Sequence, residues 1–343
     1  MIIIINKSIL FYLSENLKTT KMLRIVKSWL SNRIFGINSF LKRLILFVNN
    51  PMNVSLLFPL THNGLFKAYK FLIKKYRKFY LLRVDRLNKM KLKNYSNIDP
   101  SKGFTVFRFN NKKLLIETLN FCKKKFSVER ILKEAENLSK KNTLLSLPID
   151  ISIKENKPIK KLALHPEIIK PVGNYLGGLP ILYGCYIWYS PNDKNINLIG
   201  SQLYHFDRED YRQIKCFIPI RNISEKNGTL NVIPAKNSRE FMNKRGQNEA
   251  YQSLKQRFSD NEVYQKIGEK FKVELKAKTG EIILLDTSNC LHFGSRKSEK
   301  PKYHITLHYI TPFNNKVYKK TQNITSNNHF SSKSNEELIL DYI

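Results

Sequence analysis

The chain predicts a mostly β fold with flanking helices, a double-sheet jelly roll preceded by a basic helical N-terminal region. Three observations point there. From Leu182 onward apolar residues recur at the period of a strand, in short runs set between glycine, asparagine and proline turn signals. Before Leu182 most of the apolar spacing is helical. And 343 residues, 42% of them hydrophobic and 12% aromatic, supply enough apolar surface for a substantial core, which excludes wholesale disorder.

In chain order, residues 1–99 form the basic region. After Pro59 and a His62-Asn-Gly64 turn, a helix is predicted from Phe66 to Lys93. Phe66, Tyr69, Ile73, Tyr76 and Tyr80 make its apolar stripe, with Lys67, Lys70, Lys74 and Lys78 on the other side. Asn97 to Gly103 is a turn-rich boundary that opens a domain over residues 100–313. There Phe104 to Phe109 reads as a strand, Lys112 to Lys140 as one or two helices, and residues 145–160 as a loop. His165 and Pro166 cap a helix running to Tyr175, which Gly177 to Pro180 terminate. Strands are expected at Leu182 to Tyr189, around His205, and at Ile214 to Ile220. Asn227-Gly228 suits a hairpin turn before Thr229 to Ile233. A charged helical insert, about Ser238 to Lys270, precedes strands at Phe271 to Leu275, Glu281 to Leu285 and Tyr303 to Ile310. Residues 314–343 are a polar tail, expected to be mobile.

The formal net charge is +33, from 60 Lys and Arg against 27 Asp and Glu. Such a surplus suggests an anionic partner, although a chain this rich in Lys, Asn and Ile also carries charge through AT-rich codons. The surplus is concentrated in residues 1–99, with 19 basic and 3 acidic side chains. A basic amphipathic region with interleaved aromatics suits an anionic membrane surface or nucleic acid. It equally suits a helix packed on the domain with a solvated lysine face. No nucleic-acid-binding motif is present, which weighs against that partner. Lys7, Lys42 and Arg43 interrupt the apolar runs, so neither a secretory signal nor a spanning helix is expected. Met22 opens a fresh basic segment and is an alternative start. Cys122, Cys185, Cys216 and Cys290 show no paired spacing, which argues against a disulfide framework or a structural zinc site. A reducing, cytoplasmic setting is expected, with peripheral membrane attachment open.

Candidate chemistry centres on His205-Phe206-Asp207. On an extended segment His205 and Asp207 project to one side while Phe206 points away. An imidazole and a carboxylate then converge, two parts of a 2-His-1-carboxylate triad. Among the seven histidines His292 is best placed to complete it, since it follows the strand Glu281 to Leu285 and precedes Gly294. His165 sits in a helix cap, a poor place for a ligand.

The text around the triplet resembles the phytanoyl-CoA dioxygenase-like family of Fe(II)- and 2-oxoglutarate-dependent oxygenases. The carrying residues are His205 to Asp207, Lys215 to Ile220 (KCFIPI), Asn227 to Pro234 (NGTLNVIP), Gly280 to Asp286, His292 to Gly294, and Lys302 to Tyr309, over Gly103 to Phe313. The resemblance implies a double-stranded β-helix, cupin-like, with His205, Asp207 and His292 as both metal ligands and catalytic centre. It implies Fe(II), 2-oxoglutarate as co-substrate, O2, and hydroxylation of a small-molecule substrate. Asp207 fills the position where related halogenases carry a small residue, which favours hydroxylation.

The sequence departs from the family at two places. Where the family places an arginine about ten residues after the distal histidine, this chain has Lys302, a point charge rather than a planar fork for the far carboxylate. And Ala235 to Ser238 stands where the family tends to read Gly-Ser-His. Lys302, His304, Thr306 and His308 share one strand face, so His304 is either a partner of the co-substrate carboxylate or a satisfied core histidine. Arg296 is the rival carboxylate binder. Three functions follow: an active hydroxylase, a non-catalytic relative acting as a binding module, and a membrane-surface or nucleic-acid adaptor working through residues 1–99. Substrate identity and oligomeric state do not follow from the sequence.

Overall fold

The computed structural model describes residues 62–137, 145–191, 198, 200–244, 257–294, 296, 298–314 and 330–341. The expectations for residues 1–61, including an alternative start at Met22, lie outside them. The chain divides into two units, Met1–Gly64 and Leu65–Ile343, and the second carries everything described below except the first three residues of the helix that opens at His62.

Among the described residues, nine strands make two antiparallel sheets. The larger contains β1 (Phe104–Arg108), β2 (Leu145–Pro148), β3 (Ile181–Ser190), β4 (Gln213–Pro219), β7 (Glu281–Leu285) and β9 (Lys302–Ile310), in the order β1-β7-β4-β9-β3-β2. The smaller is β6 (Val273–Leu275), β5 (Leu230–Val232) and β8 (His292–Phe293), in the order β6-β5-β8. Strands distant in sequence lie side by side, which is the interleaving of a double-stranded β-helix.

Alternation along each strand decides which residues face which layer. Phe104, Phe217, Ile283 and Leu285 of the large sheet meet Leu230, Val232, Val273 and Leu275 of the small one, forming the core between the sheets. The other face of the large sheet is covered by helices: α3 (Lys112–Lys125), which α4 (Val128–Asn137) follows in the chain, α5 (Lys157–Ala163) and α6 (Pro166–Leu176). Polar tips on that face reach helix ends, the Tyr303 hydroxyl donating to the Phe126 carbonyl at 2.6 Å and the Tyr309 hydroxyl to that of Ala163 at 2.6 Å.

Helix α6 forms as its flanks predict. His165 Nδ1 accepts from the Glu167 amide, Pro166 opens the first turn, and Gly177 ends the helix at φ 86°, a left-handed conformation that costs a glycine little. Gly103 has a different reason to be glycine. At φ 79° a β-carbon there would lie 2.5 Å from Cys290 Sγ and 3.1 Å from Ala235 Cβ.

Several elements differ from expectation. The helix predicted over 66–93 is two, α1 (His62–Lys75) and α2 (Arg77–Lys89), separated at Tyr76, whose ψ of 44° leaves the helical region. Residues 145–160 hold β2 and the start of α5 instead of a loop. Asn227-Gly228 is not a hairpin turn, because β5 pairs with β6 and β8 while β4 pairs with β7 and β9. The link from β4 to β5 therefore crosses between sheets, through a 3-10 turn at Glu225–Asn227. The insert around 238–270 contains α7 (Ala235–Lys244) and α8 (Asp260–Ile267), the latter with a Ser259/Glu262 capping box.

The tail also carries structure. Helix α9 (Asn335–Ile339) has its own capping box from Ser334 and Glu337, and it buries Leu338 and Ile339. Arg83 of α2 is fully buried and donates to the carbonyls of Leu179, Pro180 and Leu338, with Asp341 3.8 Å from its guanidinium. Helix α2 and the C-terminal helix thus belong to the same compact unit as the sheets.

Candidate metal centre

Two turns and one backbone bridge build the site. At the end of β7, the buried Asp286 carboxylate accepts from the amides of Ser288 and Asn289, from both of their side chains, and from the Tyr175 hydroxyl at 2.7 Å. Those bonds fix the turn that delivers His292. Thr287 in the same turn accepts the Asp207 amide at 2.9 Å.

The segment carrying His205 and Asp207 is not the strand expected of it. It pairs through an isolated antiparallel bridge in which His205 and His292 exchange both backbone hydrogen bonds, at 3.0 and 3.1 Å. This pairing, and not a shared ladder, sets the two imidazoles side by side with centroids 4.3 Å apart. The period-two logic still holds. Phe206 packs outward with Tyr204, Phe258 and Phe293, while Asp207 returns to the imidazole side.

His205, Asp207 and His292 each offer one ligand atom, and these lie within 4.8 Å of one another. Asp207 Oδ1 is 3.7 Å from His205 Nε2, and Oδ2 is 3.6 Å from His292 Nε2. The other nitrogen of each ring faces a backbone carbonyl: Nδ1 of His205 meets Leu203 at 2.8 Å, and Nδ1 of His292 meets Cys290 at 2.9 Å. A carbonyl only accepts, so each Nδ1 carries the proton and each Nε2 presents a lone pair toward Asp207. Burial, aided by the neighbouring imidazole, pushes His205 down to about 3, and burial lowers His292 as well. Both rings are therefore neutral, as ligation requires. Burial opposes ionisation of Asp207, but Lys215 and the two histidines outweigh it and hold the carboxyl well below its ordinary range. Two oriented imidazoles and one carboxylate fit a non-heme Fe(II) centre.

Lys215 is the residue that sequence reading passed over. It stands in β4 and donates from Nζ to Asp207 Oδ2 at 2.7 Å. Its cross-strand partner on β9 is His308, and Phe217 faces Thr306 in the same way. The face of β9 bearing Lys302, His304, Thr306 and His308 is thus the one from which Lys215 reaches the triad.

Lys302 is 4% exposed, and no hydrogen-bond or ion-pair partner meets its ammonium among the described residues. Burial alone pushes it down to about 8. Beside it His304 Nδ1 and Thr306 Oγ1 are buried without partners. His304 contacts the Phe217 ring and is not a satisfied core histidine. Arg296 is committed elsewhere: its guanidinium makes a bidentate pair with Asp260 at 2.7 and 2.8 Å and stacks 3.4 Å from the Phe293 ring centroid.

No protein family matches this chain, and no curated protein does. Solved structures similar to it include EctD from S. alaskensis with 2-oxoglutarate and 5-hydroxyectoine, at 14% identity over 68% of this chain and 83% of that one, TM-score 0.42. The non-heme alpha ketoglutarate dependent epimerase SnoN from nogalamycin biosynthesis is similar at 10% identity over 62% and 79%, TM-score 0.39. HygX from Streptomyces hygroscopicus, with nickel and 2-oxoglutarate bound, is similar at 11% identity over 62% and 84%, TM-score 0.38.

Proposed function

We propose that the chain is an Fe(II)- and 2-oxoglutarate-dependent dioxygenase that hydroxylates a small-molecule substrate. The observation that carries this reading is the convergence of His205, Asp207 and His292, with both imidazoles held in the ligating tautomer. Fe(II) and 2-oxoglutarate, when bound, would supply O2-driven oxidation of a C–H bond, with succinate and CO2 as co-products.

The chain's own residues would hold and orient. His205, Asp207 and His292 take three positions and leave the rest of the metal open. Lys302 suits the far carboxylate of the co-substrate, because a buried ammonium without a counter-charge is stabilised by any anion that reaches it. Thr306 can donate its hydroxyl and His304 its Nδ1 proton to the same group, which would satisfy both unpartnered atoms. The HFD, NGTLNVIP and KYHITLHY blocks resemble phytanoyl-CoA dioxygenase-like sequences and so accord with the same assignment, although no family model matches the chain.

The reading is tested by adding Fe(II) and 2-oxoglutarate anaerobically and recording the visible charge-transfer band, then admitting O2 and measuring succinate. A band and succinate release, both lost in Asp207→Ala, are expected. A folded, metal-loaded protein without either would contradict the dioxygenase assignment and leave a binding module.

A further inference from the structure

The triad's carboxylate is engaged unevenly. Lys215 Nζ meets Asp207 Oδ2 at 2.7 Å, whereas no donor approaches Oδ1 among the described residues. Lys215 has little freedom to leave. It stands in the middle of β4, with Leu285 of β7 and His308 of β9 as cross-strand partners, and its side chain is only 21% exposed. An ammonium gripping one oxygen of a carboxylate restricts rotation of the group and competes with a metal for that oxygen's lone pairs.

We infer that Lys215 is a positioning residue which restricts Asp207 to ligation through Oδ1 alone and so keeps three metal positions open. This inference rests on the triad reading above and adds to it. A carboxylate free to chelate through both oxygens would take a fourth position, and a co-substrate that needs two positions would leave none for O2. The opposing influence, repulsion between the ammonium and a divalent cation, acts on affinity. The number of open positions is therefore the quantity that isolates the positioning role.

The experiment uses the full chain loaded with Mn(II), without co-substrate, and reads water-proton relaxivity in wild type, Lys215→Met and Lys215→Arg. Wild type should carry about three exchangeable waters and the methionine variant about two, lowering relaxivity by about a third. Arginine should retain the wild-type value. Equal relaxivity in wild type and Lys215→Met overturns the inference while leaving the metal site intact. Absence of Mn(II) binding to folded wild type overturns the triad reading and this inference with it. A structure of the Mn(II)-loaded wild type decides independently of any variant: Lys215 Nζ retained on Oδ2 supports the role, and its displacement by the metal overturns it.

Discussion

At the scale of single residues the site is defined by charges that burial makes costly. Lys302 is the most exposed to test. Its ammonium binds a carboxylate only when protonated, so in the free protein affinity for 2-oxoglutarate should fall as pH rises through about 8, where burial has placed the group. Lys302→Arg should remove that dependence, and Lys302→Met should raise the KM for 2-oxoglutarate by about tenfold or more, because one charge-assisted contact contributes about 1.5–3 kcal/mol. The same shift has a stability consequence. The folded-state value lies below the ordinary 10.5, so between about 8 and 10.5 the unfolded chain binds more protons. The Lys302 contribution therefore stabilises the fold progressively as pH rises through that window, and urea melts at pH 8 and 10, compared with Lys302→Met, would show it. His205 and Asp207 were legible as a pair because alternation on an extended segment needs no knowledge of the partner strand, whereas His292 was reached from its place after Glu281 to Leu285 and from the family resemblance. Lys215 was not, since nothing local says that a strand lysine points inward until the register with β9 is known.

At the scale of elements, glycine and proline signals placed the ends of α6 and the whole of β7. What the sequence withheld was pairing. Asn227-Gly228 has the chemistry of a hairpin turn, yet the chain leaves one sheet there and enters the other, a choice set by the register of β5 with β6 and β8. Strand β2 was present as an alternation, Leu145, Leu147, Ile149 and Ile151, all buried, hidden by the proline and aspartate between them. The C-terminal helix was hidden for another reason: its value lies in a distant arginine. Arg83 binds carbonyls from two separate segments and approaches Asp341, which Lys333 also meets at 2.6 Å. Arg83→Met removes the donor to three carbonyls while Asp341 keeps Lys333, and should cost at least about 1–3 kcal/mol, read as a lower urea midpoint. A midpoint within error of wild type would show that α9 is not held by this residue. Asp286→Ala, which removes the acceptor organising the turn before His292, should lower metal affinity about 10–100-fold, measured by chelator competition, even where far-UV CD shows the fold retained.

At the scale of the whole molecule, charge and function remain separate matters. The surplus of +33 says nothing about the reaction, and the fold specifies chemistry class without choosing a substrate. Lys67, Lys70, Lys74 and Lys78 are exposed along α1 and α2, and no helix among the described residues is long and apolar enough to cross a membrane. If that lysine face serves an anionic surface, sedimentation with phosphatidylserine vesicles should fall several-fold when the four lysines are changed to glutamine, and 0.15 M salt should weaken it. Equal sedimentation of both proteins would make the face a solvated exterior. The central claim, that one divalent iron is gripped by His205, Asp207 and His292, is tested most directly by anomalous diffraction from an anaerobically Fe(II)-loaded crystal. A single iron peak within roughly 2.0–2.2 Å of both Nε2 atoms and an Asp207 oxygen is predicted. Iron bound elsewhere, or a triad left without metal at saturating Fe(II), would contradict it.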